Sequence, residues 1–413
     1  MRNLILFTDY FPQMYGDYAF IKNEMNALSQ NYKTVYIFPL KFSPYKSQAT
    51  DLPDNVIIFP ALFNTKKELL IKNLFNYRSI FKSIYLLITD LKYIKNIKHI
   101  KSLILAILIA RGQNKIFSDF LKSFPNINPK NTDLYFFWGV GSVYLLTLNQ
   151  KDFKFKSLVR FHGGDLYLER HKGYIPLRKQ IFTMSTQLSS ISQLGTNYLN
   201  NELKEFKLTK RSKTIYLGTK DYGVSENHKN IQFIIVSCSS IIPLKRVHLI
   251  YESLVLIANS KLPIHWIHFG GGQGFEALQS LILKNSNDDL KITLHGQTHH
   301  ATIISFYKTH KVNLFINVST TEGIPVSIME AISFNIPVIA TDVGATSEII
   351  NQNAKTGILV PAELDAMRLK KSIELFLKLY LNDSNFFEPR VFWNANFTES
   401  KANKNLIDSL KQL

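Results

Sequence analysis

Short apolar, β-branched runs alternate with helix-period segments along the whole 413-residue chain. Such runs read as strands at 3–8, 34–38, 56–59, 134–137, 157–161, 188–191 and 214–217 in the first half. In the second half they read so at 232–237, 265–269, 291–294, 312–318, 337–340 and 357–360. A run that is apolar throughout is buried on both faces, the habit of parallel sheets covered by helices. Strict strand–helix alternation leaves few other architectures. The chain is also too long for one ordinary core. The expectation is therefore an α/β protein of two doubly wound, Rossmann-like domains facing each other across a cleft at the C-terminal ends of their strands. The polar stretch 218–230, GTKDYGVSENHKN, reads as a linker between domains at 1–217 and 231–390.

Apolar residues make up 46% of the chain and charged residues 19%, the composition of a globular protein and not a disordered one. The single cysteine, Cys238, lies in an apolar strand, so no disulfide framework forms and a reducing cytosol is expected. The first residues do not read as a secretory signal, and the longest apolar run, 103–110, is too short to span a bilayer. The net charge is +18. Between Lys66 and Lys101, nine Lys/Arg residues (among them Lys72, Arg78, Lys82, Lys92, Lys95 and Lys98) face only Glu68 and Asp90, with Leu, Ile, Phe and Tyr interleaved. This reads as a basic amphipathic surface for an anionic membrane. No nucleic-acid motif accompanies the charge, so nucleic acid is not an expected partner.

The segment 320–350, TTEGIPVSIMEAISFNIPVIATDVGATSEII, places Glu322 and Glu330 eight residues apart around a Gly-Ile-Pro turn. Glu322 falls just past a buried strand, where open α/β sheets bind ligands. Pro325 suits the first turn of a helix, and the amides of Gly323 and Ile324 are free to meet an anion or a sugar oxygen. Glu330, roughly one and a half turns further on, is placed to accept from vicinal hydroxyls such as those of a ribose. Two carboxylates beside free helix amides suit a ligand with both hydroxyls and phosphates, as a nucleotide sugar has. An ordinary βαβ unit with two solvated glutamates is the plain alternative.

Other constellations fit the same ligand. Lys245 and Arg246 open a helix after a strand and form a candidate diphosphate clamp. Gly271 and Gly272, within Gly270–Gly274, offer backbone to a phosphate, although the run is not a G-x-G-x-x-G. Gly296 and Gln297 end another strand, where main-chain groups reach a nucleobase. In the first half, His162 follows a strand and precedes Gly163-Gly164-Asp165; it either donates to a sugar hydroxyl or stabilises developing charge, or it caps its turn. Strand alternation puts Arg160 on the same face as His162. Asp165 either orients His162 or contacts an acceptor. Gly16 and Asp17 either let a phosphate or acceptor approach or form a simple turn. His299 and His300 make a poor metal pair and read as an exposed helix start.

The stretch EGIPVSIMEA followed by PVIATDVG resembles the E-x7-E signature of the GT-B-fold retaining glycosyltransferases of family 4, the glycosyl transferases group 1. MYGDYAFIKNEM at 14–25, RFHGGDLYLER at 160–170, VSCSSIIPLKRVHLI at 236–250, IHFGGGQ at 267–273 and LHGQ at 294–297 are similar to further segments of that family. The resemblance implies a metal-independent enzyme without a cofactor, and a catalytic pair of His162 and Glu322. It further implies transfer from a nucleotide-diphosphate sugar to a lipid-linked glycan, at the cytoplasmic face of the inner membrane, for a cell-surface polysaccharide. It also implies that the terminal segment 391–413 packs back on the first domain. Many members carry an Arg five residues before the Lys; here that position is Ser240, and either Arg246 replaces it or one phosphate contact is missing. A nucleotide-sugar epimerase of the same fold and a non-catalytic membrane assembly subunit are the alternatives.

Overall fold

The computed structural model describes residues 1–65, 67–69, 80–148, 154–225, 232–257, 262–284, 290–351, 353 and 355–413. The chain forms two compact units: residues 1–216 together with 402–413, and residues 217–401.

The first unit is built on a seven-stranded sheet: β1 Asn3–Thr8, β2 Val35–Pro39, β3 Val56–Ile58, β4 Thr132–Phe136, β5 Lys156–Phe161, β6 Gln187–Ser190 and β7 Lys213–Thr214. All pairings are parallel, in the order β3-β2-β1-β4-β5-β6-β7. Period-2 alternation sends neighbouring residues of one strand into different cores. Ile5 and Phe7 join Phe136 and Val159 under the helix Ile97–Ser123, against its Ile107, Phe117 and Phe120. Leu4 and Leu6 join Tyr135 and Leu158 on the other face, with Ile21, Met25 and Leu28 of the helix Tyr18–Asn31. Leu406, Ile407, Leu410 and Leu413 complete this second core.

The helix Ile80–Asp90 is built inside out. Its inward face carries Leu86 with Ser83 and Asp90, whose carboxylate accepts from the Tyr174 hydroxyl and the Leu177 amide. Its outward face carries Ile80, Phe81, Ile84, Tyr85 and Ile88, with Phe81 87% and Ile88 63% exposed. Leu91, Ile97, Ile100 and Ile104 continue the exposed apolar surface. Lys82, Lys92, Lys95, Lys98 and Lys101 are exposed among them. Of the basic run, Lys66, Lys72 and Arg78 lie outside the described residues. Among the described residues no helix is long and apolar enough to cross a membrane.

The second unit carries a six-stranded parallel sheet: β8 Phe233–Cys238, β9 Ile264–Phe269, β10 Leu290–Leu294, β11 Leu314–Asn317, β12 Val338–Thr341 and β13 Gly357–Val360, in the order β10-β9-β8-β11-β12-β13. Ile235, Trp266, Leu314, Ile316, Ile339 and Val360 form its core with Leu369, Ile373 and Phe376 of the helix Ala366–Asn382. Within 218–230, the described residues are not a free-standing linker. Thr219 bridges Thr398, the Trp393 indole N–H donates to Thr219 Oγ1 at 2.7 Å, and Asp221 pairs with Arg390 at 2.7 Å. Residues 226–230 lie outside the described set. The helix Pro389–Asn396 belongs to this unit, and only 402–413 belong to the first. In both sheets the strand order reverses beside the central strand, between β1 and β4 and between β8 and β11, where open α/β sheets take ligands.

Candidate active site

At the β8/β11 switch point, Glu322 follows β11 and Lys245 follows β8. Lys245 Nζ donates to Glu322 Oε1 at 2.6 Å, and Asn317 Nδ2 approaches the same oxygen at 3.3 Å. Both side chains of the pair are partly buried. The turn that carries Glu322 is fixed by main-chain contacts: Thr320 N–H donates to Leu244 O, and Ala345 N–H to Gly323 O. A Cβ on Gly344, which has φ +56°, would lie 2.1 Å from the Glu322 carbonyl oxygen, so only glycine lets this turn close. Pro325 is the N-cap of the helix Val326–Ser333. Among the described residues no acceptor meets the amides of Gly323 and Ile324. A cation, a carboxylate and open amides thus lie together at the start of one helix, an anion site by geometry and dipole.

Arg246 does not belong to this group, contrary to the expected clamp. It takes a left-handed conformation (φ +45°), and its guanidinium donates to the carbonyls of Val318 at 2.8 Å, Ala362 at 2.9 Å and Ser319 at 3.2 Å. It pins the segment after β11 through these carbonyls. The glycine loops have packing reasons of their own. Gly270 N–H donates to Gly296 O, and a Cβ on Gly270 would meet Ser239 O at 1.9 Å. Gly271 O accepts from Ile241, and a Cβ on Gly272 would crowd Ile241 O. These loops, with Gly296 and the exposed Gln297, hold the edge of the sheet.

Glu330 lies on the helix Val326–Ser333, and its Oε1 is 2.6 Å from His300 Nε2. His300 opens the helix His300–Thr309 and is exposed, as the helix start at 299–300 leads one to expect. Cys238, at the end of β8, is close enough to Glu330 and Lys245 to feel both charges, and burial pushes its thiol up to about 12. His268 is a satisfied core residue: Nδ1 meets Ser237 Oγ at 2.8 Å and Nε2 meets Ser239 O at 3.1 Å.

The first unit gathers its expected residues at the β1/β4 switch point. The buried Asp17 carboxylate accepts from the amides of Asp9, Tyr10 and Phe11 and from the Trp138 indole at 3.3 Å. It ties the loop after β1 to the loop after β4, so its expected role toward an acceptor gives way to a structural one. The φ of +61° at Gly16 fits the same turn. Asp165 is likewise buried and accepts from Gly139 N–H at 2.5 Å and His162 N–H at 2.6 Å. Burial pushes its carboxyl up to about 7. It orients the His162 backbone and contacts no open surface. Arg160 is buried in a network with Glu24, Tyr135 and the carbonyls of Ile215 and Tyr216. Its donors face the core, which corrects its expected place on the acceptor side.

His162 differs from these neighbours. It is 5% exposed, packed at 4.5 Å from the Phe137 ring and 4.4 Å from the Trp138 ring. Neither ring nitrogen has a hydrogen-bond partner among the described residues. Burial and the Arg160 charge hold its pKa well below 6.5, so the ring is neutral. A buried polar group left unpaired costs about 1–3 kcal/mol and calls for a reason.

The sequence reading missed His300, whose contact with Glu330 crosses 30 residues of chain, and Trp138, which joins Asp17 to His162. An isolated indole in FFWGVG carries no motif signal, and a histidine pair judged as metal ligands hides a role for one of the two.

Residues 220–388 match the model of the family described as Glycosyl transferases group 1. The chain is 30% identical over 139 residues to the UDP-N-acetylglucosamine–peptide N-acetylglucosaminyltransferase GtfA subunit of Streptococcus agalactiae, covering 33% of this chain and 26% of that one. It is 30% identical over 135 residues to the O-antigen biosynthesis glycosyltransferase WbnH of Escherichia coli, 32% of this chain and 35% of the other. The chain thus spans between a quarter and about a third of the length of these relatives. Among solved structures, the lipopolysaccharide outer core galactosyltransferase WaaB in its apo form superposes with a TM-score of 0.68 at 14% identity, covering 99% of both chains. Anabaena HepE in complex with UDP superposes with a TM-score of 0.63 at 13% identity, covering 99% of this chain and 100% of that one. The fold is therefore the GT-B arrangement of two Rossmann-like domains, and the match to the glycosyl transferases group 1 model lies within the second unit.

Proposed function

We propose that this protein is a retaining glycosyltransferase that moves a sugar from a nucleoside-diphosphate sugar to a hydroxyl of a lipid-linked glycan in cell-surface polysaccharide assembly. The observation that carries the reading is the Lys245–Glu322 pair beside the open amides of Gly323 and Ile324, with Glu330 further along the same helix. In this mechanism the bond between the anomeric carbon and the diphosphate breaks, and the acceptor oxygen bonds to that carbon on the same face. The acceptor proton passes to the departing phosphate oxygen. Lys245 and the two amides take up the charge that develops on the diphosphate, so no metal ion is required. Glu322 holds the sugar hydroxyls, and Glu330 the ribose. The neutral ring of His162, whose nitrogens have no partner among the described residues, is in this reading left to meet a sugar hydroxyl. Arg246, Arg160, Asp17 and Asp165 act only through the scaffold.

The inside-out helix Ile80–Asp90, with exposed Lys82 among exposed Phe81, Tyr85 and Ile88 and with exposed Lys92, Lys95 and Lys98 following it, supports a peripheral position on anionic lipid, where a lipid-linked acceptor resides. A relative named for O-antigen biosynthesis is in keeping with a role in cell-surface polysaccharide assembly. The test is nucleoside-diphosphate release from a panel of nucleotide sugars, with and without lipid-linked acceptor, in EDTA. Acceptor-dependent release with a mass increase of one sugar supports the proposal. Interconversion of free nucleotide sugars with no new glycoside overturns it.

A further inference from the structure

His300 sits where the expected site has no recognised part. It is the first residue of the helix His300–Thr309, and Nε2 lies 2.6 Å from Glu330 Oε1. The Glu330 side chain is 17% exposed and that of His300 57% exposed, so the pair lies towards the surface and not in the core. Among the described residues, the other groups that feel this carboxylate make no hydrogen bond to it. The Cys238 thiol and the Tyr307 hydroxyl both feel the Glu330 charge, and burial keeps both protonated. Lys245 bonds to Glu322. Among the described residues, no partner meets the second Glu330 oxygen.

We infer that His300 is a positioning residue: it holds Oε1 of Glu330 so that Oε2 is presented to the ribose hydroxyls of the nucleotide. The inference rests on the nucleoside-diphosphate reading above and adds to it the device that sets ribose preference. A carboxylate on a helix surface has several rotamers, and one fixed by a hydrogen bond meets a hydroxyl at lower entropic cost. Supporting partners of this kind tune a group that itself touches the ligand. The role belongs to the imidazole N–H and not to the net charge, so a neutral donor of similar reach can replace it.

The experiment is titration calorimetry of the full chain with UDP, ADP and GDP and with their 2′-deoxy and 3′-deoxy counterparts. The variants are His300→Ala and His300→Gln. The wild type is expected to prefer the ribonucleotide by about tenfold. His300→Ala is expected to reduce that preference by about three- to tenfold while its affinity for the deoxynucleotide stays unchanged, and His300→Gln restores the preference. An unchanged preference in His300→Ala overturns the inference and leaves the nucleotide reading intact. So does an equal loss for ribo- and deoxynucleotides, which marks a merely structural residue, or a gain in affinity, which marks a competitor. Binding of no nucleoside diphosphate by the wild type sinks the underlying reading and the inference with it.

Discussion

Lys245 Nζ and Glu322 Oε1 are 2.6 Å apart, the one placed by the end of β8 and the other by the end of β11. Each neutralises the other at a helix start that would otherwise attract an anion. In the proposed mechanism a diphosphate arriving there takes Lys245 as its counter-ion and frees Glu322 for neutral hydroxyls. Lys245→Ala is therefore expected to lower turnover by about a hundredfold or more. The side chain is partly exposed, so the melting temperature is expected to move little. Transfer within a few-fold of the parent would make Lys245 an ordinary ion-pair lysine.

Glu330→Ala removes the carboxylate that the proposed function offers to the ribose. Nucleoside-diphosphate affinity is expected to fall by roughly 1.5–3 kcal/mol. Calorimetry on the variant checks this, and unchanged affinity for every nucleotide tested would remove the ribose role.

His162 is buried between Phe137 and Trp138, so its replacement has two effects. His162→Ala is expected to lose roughly 1–3 kcal/mol of stability and most of the transfer rate, with nucleotide affinity unchanged. His162→Phe fills the space without the ring nitrogens and separates the two. If His162→Phe transfers at the parent rate, the ring serves packing alone.

His268 supplies a pH dependence that needs no substrate. Burial lowers its pKa from the ordinary 6.5 to about 4. The unfolded chain binds a proton below pH 6.5 and the folded chain does not, so stability is full above pH 6.5 and falls as pH drops towards 4. The loss is about 3 kcal/mol at most. Denaturant titrations between pH 7 and 4 are expected to show a steeper decline for the parent than for His268→Gln. Parallel declines would assign the acid sensitivity elsewhere.

The exposed ridge on the helix Ile80–Asp90 is expected to bind vesicles that contain anionic lipid and not neutral ones, and less so at high salt. Replacing Phe81 and Ile88 by Ser is expected to abolish sedimentation with vesicles and leave turnover on a soluble acceptor intact. Equal recovery with both lipids, or none, would remove the membrane reading without touching the chemistry.

The fold was legible because its central strands, such as β1, β4, β11 and β12, are buried on both faces. The expected 3–8 and 357–360 coincide with β1 and β13, and the other strands shift by a few residues at their ends. Charge was harder to read. Arg160 and Arg246 stood beside motif residues, yet their guanidinium groups answer carbonyls supplied by distant segments, Ile215 and Ala362 among them. Nothing local in a sequence tells a ligand-facing arginine from one that pins a loop. The basic run between Lys66 and Lys101 likewise reads as an amphipathic surface, but does not tell which side of the helix Ile80–Asp90 meets the core, where Asp90 bonds to Tyr174 and Leu177. Glu322 and Lys245 were legible because each follows a buried strand at the point where ligands are expected.

Leu406, Ile407, Leu410 and Leu413 lie in a core whose other members come from the first 216 residues. A ribosome therefore makes the entire second unit before it supplies the last piece of the first. Until then the nascent protein carries an open apolar face on a nearly finished sheet. A chain cut after Lys401 keeps every residue of the proposed nucleotide site, yet leaves that face uncovered and prone to aggregate.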